Sequence, residues 1–326
     1  MYKIIYLFLM KSSILVGGQA VIEGVMMRVP GAYATAVRLK DKTIKVQRKK
    51  FISIIEKHKL QNYVIVRGII HLYESMKMGY QTLDWSAEMQ EENQETKKKS
   101  SIINNIQEFL LSVFSVLFAI GLFLFLPLFF ANFFEEIINQ PFVFNIVSGM
   151  IRISIFLLYL ILISQLNDVR RLFQYHGAEH KVVYNFESGN DLNIQNAKTF
   201  STFHPRCGTS FVFIIMLVTI FSHAIIDYVA LFFINQLTVL IRLSLHLVFL
   251  PLIAGIGYET LKFLAKKQNN MLFALLSKPG LWLQKITTKE PSNNQLEVSL
   301  CALETAFGKE KINKLQGKQF IADAIG

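Results

Sequence analysis

The run FLLSVFSVLFAIGLFLFLPLFFA, residues Phe109–Ala131, contains no charged side chain. A helix that crosses the hydrocarbon core of a bilayer needs about 20 consecutive apolar residues. A core helix of a soluble protein would instead carry polar residues along one face, at a period of 3.6 residues. This run lacks that pattern, since its polar side chains are two serines. It therefore predicts a membrane-spanning helix.

Three further runs have the same apolar character. They are Val143–Leu166, Ser210–Ile226 and Leu237–Ala254. Arg152 lies near the middle of the first of these, and a charge at that depth usually faces the interior of the helix bundle. We expect Arg152 to have a buried partner, with His246 as the candidate. Arg242 lies close to the outer end of its run and is expected to snorkel towards the headgroups. The sequence thus predicts four transmembrane helices.

The composition agrees with a membrane protein and excludes several other classes. Of 326 residues, 52% are hydrophobic and only 17% are charged, with a mean hydropathy of +0.38. These values exclude a disordered or collagenous chain and are too apolar for an ordinary soluble enzyme. Two cysteines, Cys207 and Cys301, are too few for a disulfide scaffold. The net charge of +11 suits an anionic membrane surface, and no zinc-finger, RNP-like or basic-zipper pattern predicts nucleic-acid binding.

The connecting segments predict the orientation of the helices. Asn132–Phe142 and Tyr228–Gln236 contain no Lys or Arg, whereas Asn167–Thr209 contains five such residues. Because basic residues concentrate on the cytoplasmic side, the third segment and both termini are expected to be cytoplasmic. The helices then form two hairpins with short outer turns.

The predicted organisation has four parts. Residues 1–11 form an N-terminal extension, and residues 12–100 a cytoplasmic α+β segment. Residues 101–257 form the four-helix transmembrane domain with a cytoplasmic loop at 167–209, and residues 258–326 form a cytoplasmic helical segment. The fold class is therefore mainly α, a polytopic membrane protein whose small α+β cytoplasmic part is built from the N-terminal, central-loop and C-terminal segments.

Local patterns predict the elements of the N-terminal segment. Gly17-Gly18 is a turn signal, and Tyr33–Leu39 with Thr43–Val46 is typical of a β-hairpin. Asn62–Ala87 has apolar residues every three to four positions, which predicts a helix. The basic stretch Arg38–Lys59 is either a contact with anionic lipid or a solvated face of the hairpin.

The C-terminal segment is predicted to be helical and interrupted. Pro279-Gly280 is expected to break the chain after the last membrane helix. Leu281–Ile286, with Trp282 between two lysines, is typical of a helix at the membrane interface. Gln295–Gly308 is predicted to be a short amphipathic helix.

The central loop contains the strongest chemical signal, His176-Gly177-Ala178-Glu179-His180. On a helix, residues i and i+4 share one face, so two imidazoles can bind one divalent metal ion, with zinc as the candidate. Glu179 can then act as general base on a water molecule. The same order of residues is the inverted zinc-protease signature. Gly177 lowers helix propensity by about 1 kcal/mol, which weakens the premise of a helix.

A third metal ligand is expected from a second group of residues. His204 or Cys207 could complete a three-ligand catalytic site, and both together could close a structural site. Glu187 and Asp191 are oxygen alternatives, and Arg206 could bind an anionic group of a substrate or intermediate. A metal-free acid–base site and purely structural histidines remain alternative interpretations.

Two polar groups of the N-terminal segment are further candidates for a site. Glu23 and Arg28 flank the glycine-rich stretch, while Arg67, His71 and Glu74 fall on one stripe of the predicted helix. Either group could complete a polar site. Ion pairing at the surface is the simpler interpretation of both.

Six stretches of the chain together resemble the bacterial YqhQ-like membrane proteins, a family of unknown function that is often labelled as predicted metal-dependent enzymes. They are Gly17–Arg28, Arg67–Gly79, Tyr175–Lys181, His204–Ser210, Pro279–Gln284 and Thr287–Pro291. The resemblance runs from about Ser13 to Ala306, and Met1–Lys11 departs from it. It implies a bacterial cytoplasmic membrane protein, with no established substrate or reaction.

Two functional hypotheses follow for the whole chain. The first is a metal-dependent hydrolase at the cytoplasmic membrane surface, acting on a lipid-linked or membrane-protein substrate. The second is a non-enzymatic scaffold or biogenesis factor with a structural metal or polar site. A small-solute transporter is a third class, but neither broken helices nor repeated halves support it.

Overall fold

The computed structural model describes most of the chain. The described residues are 16–60, 62–91, 102–134, 140–204, 207–265, 271–308 and 312. The predicted extension at residues 1–11 lies outside them, and so does Arg206.

A four-stranded antiparallel sheet lies near the N-terminus. Its strands are β1 Gly17–Val21, β2 Gly24–Val29, β3 Ala32–Arg38 and β4 Ile44–Lys50, and they are adjacent in the order β1-β2-β3-β4. The predicted hairpin is confirmed as β3 and β4, which pair Ala36 with Val46. The predicted turn at Gly17-Gly18 is wrong because both glycines belong to β1. The first turn instead includes Glu23, at a φ of 52°.

The rest of the described chain is mainly helical. In chain order the helices are α1 Ile54–His58, α2 Val64–Glu91, α3 Ile102–Ile120, α4 Leu126–Asn132, α5 Pro141–Ile163, α6 Asn167–Ser188, α7 Ile194–Thr199, α8 Gly208–Ala230, α9 Val239–Val248, α10 Leu250–Ala265, α11 Met271–Thr287 and α12 Asn293–Phe307. A π-helical turn joins α3 to α4. Helices α2 and α12 confirm two predicted helices. The predicted break at Pro279-Gly280 is wrong, since α11 continues through Pro279.

Three helices are long and apolar enough to cross a membrane in the part of the chain that the structure describes. They cover Phe109–Asn132, Pro141–Ile163 and Val212–Ala230. A fourth candidate is the pair Val239–Val248 and Leu250–Thr260, whose two helices are bent by 57°. These segments match the four predicted runs to within a few residues, except that the fourth is broken in the middle.

The sheet is covered on both faces. Because successive side chains of a strand point to opposite faces, Val25, Met27 and Val29 share one face of β2. They pack in one core with residues of α6 and α12. Met26 lies on the other face and packs with Met78 of α2. The N-terminal, central and C-terminal segments therefore form a single folded unit around the sheet.

A buried polar cluster links three of the apolar helices. The Asp227 carboxylate of α8 accepts hydrogen bonds from Asn145 Nδ2 of α5 at 2.7 Å, Arg242 Nη1 of α9 at 2.9 Å and His246 Nε2 at 3.0 Å. The prediction that Arg242 snorkels is therefore wrong, because Asp227 binds it inside the bundle. Arg152 does have a histidine partner, but it is His223 at 3.3 Å rather than His246.

Helix α2 packs on α10 through two glycines. A Cβ on Gly68 would lie 3.0 Å from Gly255 Cα, so the two backbones approach closely. Beside this crossing, Arg67 donates to both carboxylate oxygens of Glu259 at 2.6 and 2.5 Å. Arg67 therefore pairs with Glu259 of α10 and not with Glu74, which lies on the same face of α2.

Candidate metal centre

Helix α6 places the two histidines of the H-x-x-E-H motif together. The ring centroids of His176 and His180 are 4.4 Å apart. The helix is continuous through Gly177, so packing offsets the low helix propensity of glycine at this position. A Cβ at Gly177 would overlap the carbonyl oxygen of Lys289. Glycine at this position therefore lets the segment after α11 pack directly against the motif.

Both imidazoles are oriented by backbone carbonyls. His176 Nδ1 lies 2.8 Å from Thr287 O, and His180 Nδ1 lies 2.5 Å from Thr202 O. A carbonyl oxygen can only accept a hydrogen bond, so Nδ1 of each ring must carry the proton. The Nε2 atom of each neutral ring then offers a lone pair, as is usual for metal-binding histidines. His180 Nε2 is buried and has no hydrogen-bond partner among the described residues.

Cys207 supplies a third donor atom to the same place. Its Sγ lies 3.2 Å from His176 Nε2, and the donor atoms of His176, His180 and Cys207 all lie within 4.8 Å of one another. A tetrahedral zinc ion with usual bond lengths would hold a nitrogen and a sulfur about 3.6 Å apart. Cys207 is also the N-cap of α8, so its side chain lies at the N-terminus of that helix. The three residues could therefore hold a divalent metal ion.

Glu179 lies beside the cluster and is buried. One of its carboxylate oxygens, Oε2, is 3.5 Å from His180 Nε2. Burial raises the pKa of Glu179, and a hydrogen bond from the Gly18 backbone opposes that rise. A Cβ on Gly18 would lie 2.9 Å from Glu179 Cγ. Strand β1 therefore packs against the motif. A Cβ at position 18 would also overlap Met26 O of the neighbouring strand, so both contacts favour glycine at this position of β1.

His204 lies next to the cluster but outside the group of three. Its ring centroid is 5.5 Å from that of His180, and its Nε2 is 3.7 Å from Glu187 Oε2. Gln284 of α11 holds the backbone of His204, accepting from its N–H and donating to its carbonyl, both at 2.8 Å. Asp191 lies in the loop between α6 and α7, and its backbone carbonyl oxygen accepts a hydrogen bond from the Asn185 side chain of α6.

The structure adds supporting residues that the sequence analysis did not single out. Thr202 and Thr287 orient the imidazoles through their carbonyls, and Gln284 fixes the backbone of His204. Lys181 Nζ lies 2.7 Å from Glu290 Oε1, which ties α6 to the same C-terminal segment. A signal existed for most of them, because Gln284 and Thr287–Pro291 fall within the stretches that carry the family resemblance.

The stretch Gly17–Arg28 contributes an ion pair near the start of α6. Glu23 of the first turn pairs with Arg171, and the Tyr175 hydroxyl lies 3.4 Å from Glu23 Oε2. Glu23 thus anchors the sheet to α6, whereas Arg28 lies on the opposite face of the sheet and takes no part in the cluster.

The chain is thus a mainly helical protein with three or four apolar helices, a small antiparallel sheet and a His/His/Cys cluster where α6 meets the start of α8. It belongs to the family described as a protein of unknown function, DUF1385, whose profile matches residues 64–309. It is also 31% identical over 315 residues to the uncharacterized protein YqhQ of Bacillus subtilis (strain 168), across 93% of this chain and 95% of that protein. The YqhQ-like resemblance is therefore confirmed. No solved structure matches the chain.

Proposed function

We propose that this protein is an integral membrane protein with a divalent-metal hydrolase site on the cytoplasmic side, acting on a membrane-associated substrate. The observation that carries the proposal is the convergence of one nitrogen from each imidazole and one thiol sulfur within 4.8 Å, next to a buried carboxylate. Zinc is the best candidate metal because it favours nitrogen and sulfur ligands.

The apolar helices support the membrane location. The most apolar 18 residues of Phe109–Asn132 include none that is buried inside the protein. Phe114 and Leu117 are both more than half exposed. Soluble monomers rarely expose apolar patches larger than a few hundred Å². A bilayer would cover this surface.

The position of the cluster supports a substrate at the membrane surface. Cys207 precedes the apolar segment Val212–Ala230 by five residues, or about 8 Å along a helix. A lipid-linked substrate or a membrane-protein segment could therefore reach the site while it stays in the bilayer.

Three protein ligands leave one coordination position for water or substrate, as in catalytic zinc sites. A metal bound there would polarise the substrate and lower the pKa of a coordinated water molecule. The Glu179 carboxylate would accept a proton from the attacking water and return it to the leaving group. We keep Arg206 as the candidate for an anionic group of the substrate, since it lies in the same motif as Cys207.

Metal content is the first test. The full chain, purified in neutral detergent, should contain about one transition-metal ion, measured by mass spectrometry. His176→Ala/His180→Ala should lose the metal, whereas His58→Ala, which removes an exposed histidine, should retain it. Protein that stays metal-free after reconstitution with zinc, manganese and iron would refute the proposal.

Cobalt substitution separates a hydrolase site from a closed structural site. The Co²⁺ form should show a thiolate-to-cobalt absorption that disappears in Cys207→Ser. Added acetohydroxamate should change the cobalt spectrum if a coordination position is open, and should leave it unchanged if His204 closes the site. Glu179→Gln should keep the metal and abolish any hydrolysis found in a screen of esters, amides and phosphoesters in micelles. Activity that survives Glu179→Gln would remove Glu179 from its proposed role.

A further inference from the structure

Arg28 occupies a place in the sheet that usually holds an apolar side chain. It belongs to β2, and the alternation of the strand puts it on the same face as Met26, which is buried against α2. A guanidinium placed between a sheet and its covering helix needs hydrogen-bonding partners to compensate for lost hydration. Neither the fold nor the metal cluster explains this residue.

The Arg28 side chain lines a cavity of about 480 Å³. Gly17 and Gly18 form part of one wall, and His71 of α2 and Tyr258 of α10 belong to the lining. The cavity therefore brings together the first motif of the family and the His71 stripe of α2. Both were candidates for a polar site in the sequence.

The charges around Arg28 leave it without a bound carboxylate. Its guanidinium carbon lies 4.5 Å from the centre of the Phe51 ring. Within the described residues, no carboxylate oxygen lies within 4.0 Å of a guanidinium nitrogen of Arg28. The nearby Glu74 already accepts from the Ser53 hydroxyl at 2.8 Å and from the Ile54 backbone at 2.5 Å. Glu56 also lines the cavity and acts on Arg28 through its charge, but no ion pair joins the two side chains in the described part of the chain. The donors of Arg28 thus remain available to a ligand.

Two other groups of the cavity agree with an anionic ligand. The Tyr258 hydroxyl is buried and has no hydrogen-bond partner in the described part of the chain, so it can donate to an acceptor. His71 stacks on the Tyr258 ring at 4.9 Å, and burial lowers its pKa, so it is neutral at pH 7. Arg28 would therefore supply the positive charge, and Tyr258 a neutral donor.

We propose that this cavity binds a phosphate ester anion, held by Arg28 and Tyr258. Guanidinium groups recognise phosphate oxygens with paired hydrogen bonds. Tyr258 lies two residues before the end of the apolar segment Leu250–Thr260, so the headgroup of an anionic phospholipid is one source of this ligand. A soluble phosphate ester is the other. The site does not require the metal centre, with which it shares only the β1 wall.

Thermal unfolding of the full chain in neutral detergent tests the proposal. The probes are dioctanoyl phosphatidylglycerol, dioctanoyl phosphatidylcholine as the zwitterionic control, and inorganic phosphate. A ligand that binds only the folded state raises the melting temperature by an amount that grows with the ratio of its concentration to its Kd. We expect phosphatidylglycerol or phosphate to raise it, and phosphatidylcholine to have little effect. A response to phosphatidylglycerol alone identifies a lipid, and a response to phosphate alone a soluble ester. No response to either overturns the proposal.

Variants assign the response to the cavity. Arg28→Gln should weaken the affinity for the active probe at least tenfold. Lys49→Gln removes the same charge from an exposed position of β4 and should bind as the wild type does. Equal responses of these two variants would show non-specific attraction and overturn the proposal. If Arg28→Gln does not fold, Tyr258→Phe gives the second test, because it removes only the unpartnered hydroxyl and should weaken binding several-fold. Unchanged binding in Tyr258→Phe would remove that residue from the site.

Discussion

Gly177 shows how a single hydrogen atom in place of a side chain can decide the geometry of a site. The missing Cβ lets the Lys289 carbonyl pack onto α6, and this segment also carries Thr287, whose carbonyl orients His176. Lys289 N–H donates to Phe173 O at 2.9 Å before the motif, and Glu290 pairs with Lys181 at 2.7 Å after it. The packing at Gly177 and the orientation of His176 therefore depend on each other.

Gly177→Ala should destabilise the protein by about 1–3 kcal/mol, because the added methyl group must displace the backbone of Lys289. The change should also lower metal occupancy through His176. Gly121→Ala is the matched control, since a Cβ there meets no atom within 4 Å. Thermal unfolding and metal analysis of both variants check the expectation. If the two variants behave alike, the tight contact at Gly177 is not important for the site.

At the residue scale, spacing predicts contacts within one helix and leaves contacts between helices open. The i, i+4 positions of His176 and His180 were enough to pair them. No spacing could decide between His204 and Cys207, because their distances to α6 depend on tertiary packing. Arg242 was misjudged for a related reason, since its partner Asp227 lies at the end of another apolar run, and spacing within one run cannot show that the two side chains meet.

The polar cluster around Asp227 is the main polar link between helices α5, α8 and α9. The carboxylate has no exposed surface and accepts from three side chains, and Arg242 also packs over the Phe144 ring at 3.7 Å. Removing one partner of a buried ion pair leaves an uncompensated charge, which is more costly than removing both.

Asp227→Asn should therefore destabilise the protein strongly, by about 3–5 kcal/mol. Asp227→Asn/Arg242→Gln should recover part of this loss, because no unpaired charge stays in the bundle. Unfolding of the three proteins in the same detergent measures both effects. A double variant less stable than the single variant would show that Arg242 does not depend on Asp227.

The contact between α2 and α10 combines close backbones with a bidentate ion pair. Arg67 and Glu259 are each about one-fifth exposed, so water screens their interaction only in part. A double-mutant cycle with Arg67→Ala and Glu259→Ala should give a coupling energy of about 0.5–3 kcal/mol. The pair Arg38–Glu297, whose carboxylate is 53% exposed, is the control and should couple by less than about 1 kcal/mol. Equal coupling energies for the two pairs would show that partial burial does not strengthen the Arg67–Glu259 ion pair.

At the scale of elements, periodicity predicted the helices better than the strands. Helices α2 and α12 each keep a regular spacing of apolar residues. Strands β1 and β2 were missed because β2 is covered on both faces and shows no clear alternation of apolar and polar residues. A break was predicted at Pro279, but α11 continues through this residue and packs against α8.

For the membrane arrangement proposed above, the packing of the molecule constrains the number of times that the chain crosses the bilayer. The sheet, α6 and α12 share one core, so these three segments must lie on the same side of a bilayer. Two apolar helices, Phe109–Asn132 and Pro141–Ile163, lie between the sheet and α6. Between α6 and α12 the described residues include one unbroken apolar helix, Val212–Ala230, so the proposed arrangement requires a second crossing. We therefore expect the bent pair α9 and α10 to cross the bilayer and not to return as a re-entrant loop.

Accessibility of introduced cysteines tests this four-crossing arrangement. In a Cys207→Ser/Cys301→Ser background, Asn235→Cys lies in the turn after α8 and should react with a membrane-impermeant maleimide in intact cells. Asn190→Cys, in the loop after α6, and Asn294→Cys, at the start of α12, should react only after permeabilisation. All three positions are exposed, so protection reports the side of the membrane and not burial. Labelling of Asn294→Cys in intact cells, with Asn190→Cys protected, would mean that α9 and α10 form a re-entrant loop. That result would also be incompatible with α6 and α12 in one core, and with a C-terminal segment that orients His176.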